Sequence, residues 1–305
     1  MKMILVLLLL ALQPANISED ISLTYEGEKI HSIHRSEYAL PPFGQSVIDQ
    51  EKYSQLEKQL ETSVFKKPTD ATIDEHGHLV SEKMGYQLNR EKFKEAFYQS
   101  FFNEGTTSIE IPVRTIYPKV DSELLTSISS KKISQYITFF NSRNKERSHN
   151  IQLASNAINN YVVFPGETFS FNAVVGKRTV EKGYLPAPVI VRGELSEGVG
   201  GGICQVSSTL FNAVDRAGVK ILERYSHSRR VPYVPPNRDA TVSWYGPDFV
   251  FKNLHNQPLL IRSKVIGGQL IIVILSSDSF SDTKREVPSA PDTLPKEEQV
   301  NKDPH

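Results

Sequence analysis

Gly200-Gly201-Gly202-Ile203-Cys204-Gln205-Val206-Ser207-Ser208-Thr209-Leu210-Phe211-Asn212-Ala213 is the stretch that decides the fold and the chemistry of this chain. Three glycines permit positive φ and close backbone approach. A helix then runs from about Cys204 to Ala217 and is ended by Gly218. Val206, Leu210, Ala213 and Ala217 follow helical spacing and are expected to pack inward, whereas Cys204, Ser208 and Phe211 form a different stripe. A cysteine at a helix start meets unpaired N–H groups and the positive end of the helix dipole. Both favour a thiolate, and the same N–H groups suit an oxyanion.

Cys204 is the chain's one cysteine in 305 residues, so no internal disulfide and no Cys-rich zinc site is expected. No metal and no cofactor is expected either. The candidate base is His227, in Arg224-Tyr225-Ser226-His227-Ser228-Arg229-Arg230, 23 residues after the cysteine. The candidate orienting acid is Asp239, 12 residues further on, in Asn237-Arg238-Asp239-Ala240-Thr241-Val242. The order Cys, His, Asp, on a helix and then two strands, suits thiol acyl transfer. Gly201, Gly202 and Gln205 around the thiol, with Arg224, Arg229, Arg230 and Arg238, are the candidate substrate-binding residues, because arginine grips carboxylates in a bidentate way. The same residues also admit a plain structural reading. A free cysteine often packs as a small hydrophobe, His227 can sit on an Arg-rich turn, Asp239 can cap a turn after Pro235-Pro236, and the arginines can form a solvated face.

Outward from this stretch the chain is α+β: a small α/β N-terminal unit followed by a larger mixed α+β domain. Met1-Lys2 and the apolar run Met3–Leu12 resemble an export signal or N-terminal anchor over residues 1–15, too short to span a bilayer. Residues 16–64 are a polar spacer, with a helix near Gln50–Glu61. Residues 65–125 form the first unit: strand–turn–strand around Asp74–His78, a helix from about Arg90 to Asn103 with Phe93, Phe97 and Phe101 on one face, then a strand at Thr107–Val113. Residues 126–275 form the larger domain. It carries a helix at Ile151–Asn160, extended chain at Phe169–Asn172, and strands at Ala187–Arg192, Val219–Tyr225, Ala240–Trp244, Phe249–Phe251 and Leu259–Leu275. The Ser, Asp, Pro, Glu and Lys composition of residues 276–305 predicts a disordered tail. Lys+Arg and Asp+Glu balance at 35 each, which points away from nucleic acid as a partner. The glycine run lacks a following Lys-Ser/Thr, which points away from a nucleotide.

The stretches Asn150-Ile151, Phe164–Asn172, Gly176-Lys177-Arg178-Thr179, Gly183-Tyr184, Gly200–Ser208, Glu223–Ser228, Tyr233-Val234-Pro235 and Arg238–Val242, with Asp248 and Asn253, resemble the VanW family. Asn237 stands where members often have Gly, and Phe211 where they often have Tyr. Residues 65–125 look like the peptidoglycan-binding domain that often precedes VanW domains, through Asp70-Ala71, Gly85, Ile111-Pro112-Val113 and Tyr117-Pro118. The resemblance implies a Gram-positive cell-envelope protein, exported to the wall or the outer face of the cytoplasmic membrane. Its expected partners are peptidoglycan or its peptide stems, and other envelope proteins. Three functions stay open: cysteine-based acyl transfer or hydrolysis on wall peptides, non-catalytic wall binding or scaffolding, and partner-binding regulation of wall synthesis, which the long polar spacer and the tail would suit. The layout of Gly202–Gly218, His227 and Asp239 is also similar to transglutaminase-like thiol enzymes, which implies a Cys-helix and β-strand core.

Overall fold

The computed structural model describes residues 20–41, 43, 47–103, 105–191, 194–281 and 284–294. They fall into two compact units, one reaching to Asp70 and resuming at Glu82–Lys119, the other made of Ala71–Ser81 and the chain from Val120 onward. Residues 1–15, expected to be an export signal or anchor, and the end of the tail, residues 295–305, lie outside the described residues. Among the described residues no helix is long and apolar enough to cross a membrane.

The first unit carries β1 (Asp20–Tyr25), β2 (Glu28–His34) and α1 (Gln50–Val64). The chain next forms β3 (Thr72–Ile73) and β4 (Leu79–Val80), a small hairpin of the second unit, and returns with β5 (Gly85–Leu88), α2 (Arg90–Phe102), β6 (Thr107–Glu110) and β7 (Val113–Ile116). Phe93, Phe97 and Phe101 face inward as their spacing requires, and Phe97 meets Tyr53 at 5.1 Å between ring centroids. The polar spacer expected over residues 16–64 is in part structural. Ile21 and Leu23 alternate into the core, and β1 pairs with β2 and, in parallel, with β6. Two inward residues are too few to stand out in sequence, and the β6 partner lies more than 80 residues away.

The second unit contains α3 (Ser122–Ile128), β8 (Lys131–Phe139), α4 (Lys145–Ile158), β9 (Tyr161–Val163), β10 (Thr168–Ser170), α5 (Phe171–Val175), β11 (Pro186–Val191), β12 (Glu194–Val199), α6 (Ile203–Arg216), β13 (Lys220–Glu223), β14 (Val250–Lys252), β15 (Leu259–Ile266) and β16 (Gln269–Ser276). A four-stranded antiparallel sheet in the order β8-β16-β15-β9 is packed by α4 and α6, and a three-stranded sheet has the order β10-β14-β13. The apolar run 259–275 is a hairpin. Gly267 and Gly268 turn it with φ of +56° and +84°, the pair of positive values a tight hairpin turn needs.

Three local expectations change. The helix expected at 151–160 starts at Lys145, where the Asn144 side chain accepts from Arg147 N at 3.0 Å. The extended chain expected through Asn172 becomes helical at Phe171, where Ser170 Oγ accepts from Ala173 N at 3.1 Å. The start of the tail expected to be disordered is packed. Phe280 and Val287 are buried, Arg216 donates to Val287 O at 2.6 Å, and Tyr136 donates to Pro288 O at 3.0 Å. Side chains from β8 and α6 satisfy this backbone, which composition does not foresee. An open depression of about 710 Å³ beside the tail, lined by Arg216 and Arg285–Ser289, shares no residue with the cysteine stretch.

Candidate functional site

The cysteine stretch folds as its glycines demand. A Cβ on Gly201 would stand 2.6–2.7 Å from backbone atoms of Ala187 and Pro188, and Gly202, the residue before α6, has φ of +107°. Cys204 is therefore the second residue of α6 and is half-buried. Val206, Leu210, Ala213 and Ala217 are fully buried. The stripe set apart from them is buried as well, with Ser208 at 0% and Phe211 at 5% exposure.

The polar residues of α6 are consumed inside the unit. Gln205 Nε2 donates to Thr138 Oγ1 and to Phe139 O, each at 3.0 Å, and its Oε1 accepts from Arg147 at 2.6 Å. Ser207 Oγ donates to Ala240 O at 2.5 Å, and Ala240 N donates to Ser208 Oγ at 2.8 Å. Asn212 bonds both the carbonyl and the guanidinium of Arg238, at 2.7 Å each. These contacts explain why Ala240–Trp244 is not the strand expected from sequence. Its backbone bonds α6 side chains, and a single backbone bond, Thr241 N to Tyr225 O at 2.8 Å, ties it to the histidine segment. His227 and Asp239 thus sit on irregular chain, not on two strands.

The three candidate catalytic residues converge. Asp239 Oδ2 accepts from both the backbone N and ring Nδ1 of His227, each at 2.6 Å, with both side chains less than a tenth exposed. Nδ1 is engaged by the carboxylate, which leaves Nε2 as the ring atom for the thiol, and His227 and Cys204 are electrostatically coupled. Cys204 Sγ also lies 3.6 Å from Val242 O and 3.8 Å from Thr241 Oγ1. Burial pushes the thiol up, but the His227 hydrogen bond and charge outweigh it and hold the thiol below its usual range. Burial pushes the imidazole down, but the bonds to Asp239 and Cys204 raise it from 6.5 to about 9. Burial likewise pushes Asp239 up, and its two bonds from His227 bring it below the usual carboxylate value. This electrostatic pattern favours a thiolate–imidazolium pair oriented by a carboxylate.

The candidate substrate-binding residues divide. Gln205 is fully buried with its amide committed, and Gly201 is buried against Ala187 and Pro188, so neither presents a surface to a ligand. Arg238 is spent on Asn212 and on Asp215, 2.7 Å away, and lies over the Phe211 ring. Arg224 donates to Asp239 O at 2.7 Å and to Ser226 at 3.0 Å, so it braces the acid's backbone. Arg229 and Arg230 are exposed close to His227 in the chain, and Gly202 remains at the thiol. The sequence reasoning missed Tyr233 and Arg178, both electrostatically coupled to Cys204. Tyr233 is buried, and desolvation pushes its hydroxyl up. The one sequence signal for either was membership in the Gly176–Thr179 and Tyr233–Pro235 stretches. Among the described residues no group of three or more His, Cys, Asp or Glu is placed to hold a metal ion.

A family model described as VanW like protein matches residues 146–275, a span that contains Cys204, His227 and Asp239. The chain is 55% identical over 290 residues to the uncharacterized protein YoaR of Bacillus subtilis, covering 95% of this chain and 96% of that protein. It is 32% identical over 90 residues to the vancomycin B-type resistance protein VanW of Enterococcus faecalis, covering 30% of this chain and 32% of that protein. No solved structure matches.

Proposed function

The chain belongs to the VanW-like family, distantly linked through one relative's name to vancomycin resistance and so to the cell wall, and on that footing we propose that it is an exported envelope protein performing cysteine-based acyl transfer or hydrolysis on wall peptides. The observation that carries the reading is His227, fixed to Asp239 at 2.6 Å and electrostatically coupled to a helix-start thiol. In the proposed reaction the Cys204 proton moves to His227 Nε2 and the thiolate attacks a peptide carbonyl. The Cys204 backbone N–H receives the oxyanion, since its neighbours Ile203 and Gln205 already donate to the Gly200 and Gly202 carbonyls. His227 returns the proton to the leaving amine, and water or a second amine then releases the acyl group.

Several finer points belong to this proposal. The Cys, His, Asp order shared with transglutaminase-like enzymes supports the thiol roles by analogy, with His227 and Asp239 here on irregular chain rather than strands. The resemblance of residues 65–125 to a peptidoglycan-binding domain supports a wall-holding role for the first unit, and the N-terminal apolar run supports export. Exposed Arg229 and Arg230 are the arginines proposed to meet peptide carboxylates by virtue of their exposure near His227, with envelope proteins as further partners. One observation favours a second reading, a non-catalytic wall-binding protein or scaffold: Cys204 packs against the core and its Sγ already has Val242 O as an acceptor.

The test is the pH dependence of Cys204 alkylation in the native protein and in His227→Ala, followed by assay of wall-peptide cleavage or transfer with Cys204→Ser. The expected result is a thiol reactive at neutral pH that loses this reactivity without His227, and turnover abolished by Cys204→Ser. A thiol that reacts only after unfolding would sink the catalytic reading and leave the binding one.

A further inference from the structure

Arg178 stands in the loop after α5, and its stem packs on the glycine run that leads into α6. A Cβ built on Gly200 would lie 3.2 Å from Arg178 Cβ and 3.4 Å from Cγ. The guanidinium lies over the Phe171 ring at 5.7 Å, and Nη1 donates to Asn172 Oδ1 at 2.7 Å. Nη2 is buried and has no hydrogen-bond partner among the described residues. A buried, charged donor left unpaired costs stability. Asp248, the neighbouring carboxylate, accepts from Ser170 Oγ at 2.5 Å, from Asn172 N at 2.9 Å and from Phe249 N at 2.7 Å. No carboxylate hydrogen-bonds Arg178 among the described residues. Burial works against its charge, and of the groups that favour that charge Cys204 comes first, ahead of Tyr184 and Asp248.

We propose that Arg178 is the second cation of the Cys204 site, a positioning residue whose fixed charge helps hold the thiolate that His227 creates. The proton passes from Sγ to Nε2, the electron pair stays on sulfur, and Arg178 remains protonated throughout. The charged and titratable groups coupled to the thiol or packed beside it are then His227 with Asp239 behind it, the Tyr233 hydroxyl, Arg178, and Arg147, which lies against Gly202 and donates to Gln205 Oε1. A thiolate within electrostatic reach would account for the orphaned guanidinium nitrogen, because charges shielded from water act on one another more strongly. The proposal rests on the reading of Cys204 as a thiolate, but not on any substrate.

The test compares the full-length protein with Arg178→Gln, Arg178→Met and Arg178→Lys. Thiolate content is read against pH by ultraviolet absorbance relative to Cys204→Ser, and reactivity by iodoacetamide. Gln and Met remove the charge, and Met keeps the stem's packing on Gly200. Both are expected to move the profile to higher pH and slow alkylation at pH 7 roughly three- to tenfold, less than His227→Ala does. Lys should restore most of the loss, and the rate at high pH should be unchanged. Folded Gln or Met variants whose profiles superimpose on the parent would overturn the proposal. So would failure of both to fold, since Arg178 would then be structural. If the parent itself forms no thiolate near neutral pH, it is the reading of Cys204 that fails, and this shows in the parent before any Arg178 variant is compared.

Discussion

Helices α2 and α6 are similar in length, and each fixes the core of its own unit by different means. α2 buries one stripe of three phenylalanines and leaves its other faces to solvent. α6 is buried on nearly every side, and much of what it buries is polar: Gln205, Ser207, Ser208, Thr209 and Asn212 all have 0% exposure. The first helix is held by area removed from water, which is non-directional. The second is held as well by directional bonds, whose geometry places the chain that carries Asp239. A hydrophobic stripe secures a helix, whereas a saturated polar face also positions a neighbouring loop to within a hydrogen bond.

The comparison breaks most visibly at Phe97, whose ring is fully buried among Tyr38, Tyr53, Phe93, Tyr98 and Phe101. Phe97→Ala should destabilise the first unit by about 3–5 kcal/mol, measured by denaturant unfolding, with thiol reactivity intact in the second unit. On α6 the matching change is Asn212→Ala, which strips partners from the Arg238 carbonyl and guanidinium. It should cost about 1–3 kcal/mol and, unlike Phe97→Ala, slow Cys204 alkylation because Asp239 loses its anchor. Unchanged alkylation in a folded Asn212→Ala protein would mean that the polar face does not position the acid.

The pH dependence of stability sharpens the contrast. His227 is raised to about 9, so its contribution is complete below its ordinary 6.5 and is lost as pH climbs through about 9. Asp239 is lowered, so its contribution is present above 3.8 and is lost as pH falls through its depressed value. Melting scans should therefore show these contributions together between 3.8 and 6.5, and His227→Ala should flatten the alkaline limb. Cutting the Asn89 cap of α2, which accepts from Lys92 N at 3.2 Å, should cost about 1 kcal/mol. Replacing exposed Arg230 by Ala should shift stability by no more than about 0.5 kcal/mol, and under the proposed wall-binding role it should weaken retention on purified peptidoglycan in a pull-down.

Much of the frame was legible in the residues. The Phe93, Phe97 and Phe101 spacing marked α2, and the glycine run and Gly218 bracketed α6 to within a residue at each end. Cys204, His227 and Asp239 were also named from residue type and order, and they do meet. The internal bonding of Gln205 and Arg238 is not legible in the residues, because a polar side chain next to a reactive residue looks the same in sequence whether it faces a ligand or a buried carbonyl. The order of the tail's first residues and the pairing of β1 with β6 were hidden because their partners are distant in the chain.

By itself the sequence determined the periodic elements, the family, and the presence of one thiol with a histidine and an acid downstream, because each depends on local spacing or residue type. The tertiary structure alone decided which polar groups are spent. It set Asp239 against His227 through the hydroxyls and amides of α6, and it brought Arg178 to the glycine run with a nitrogen that has no hydrogen-bond partner among the described residues. Hydrogen bonds between residues far apart in the chain act only over a few ångströms and only in particular directions, so no local pattern encodes them.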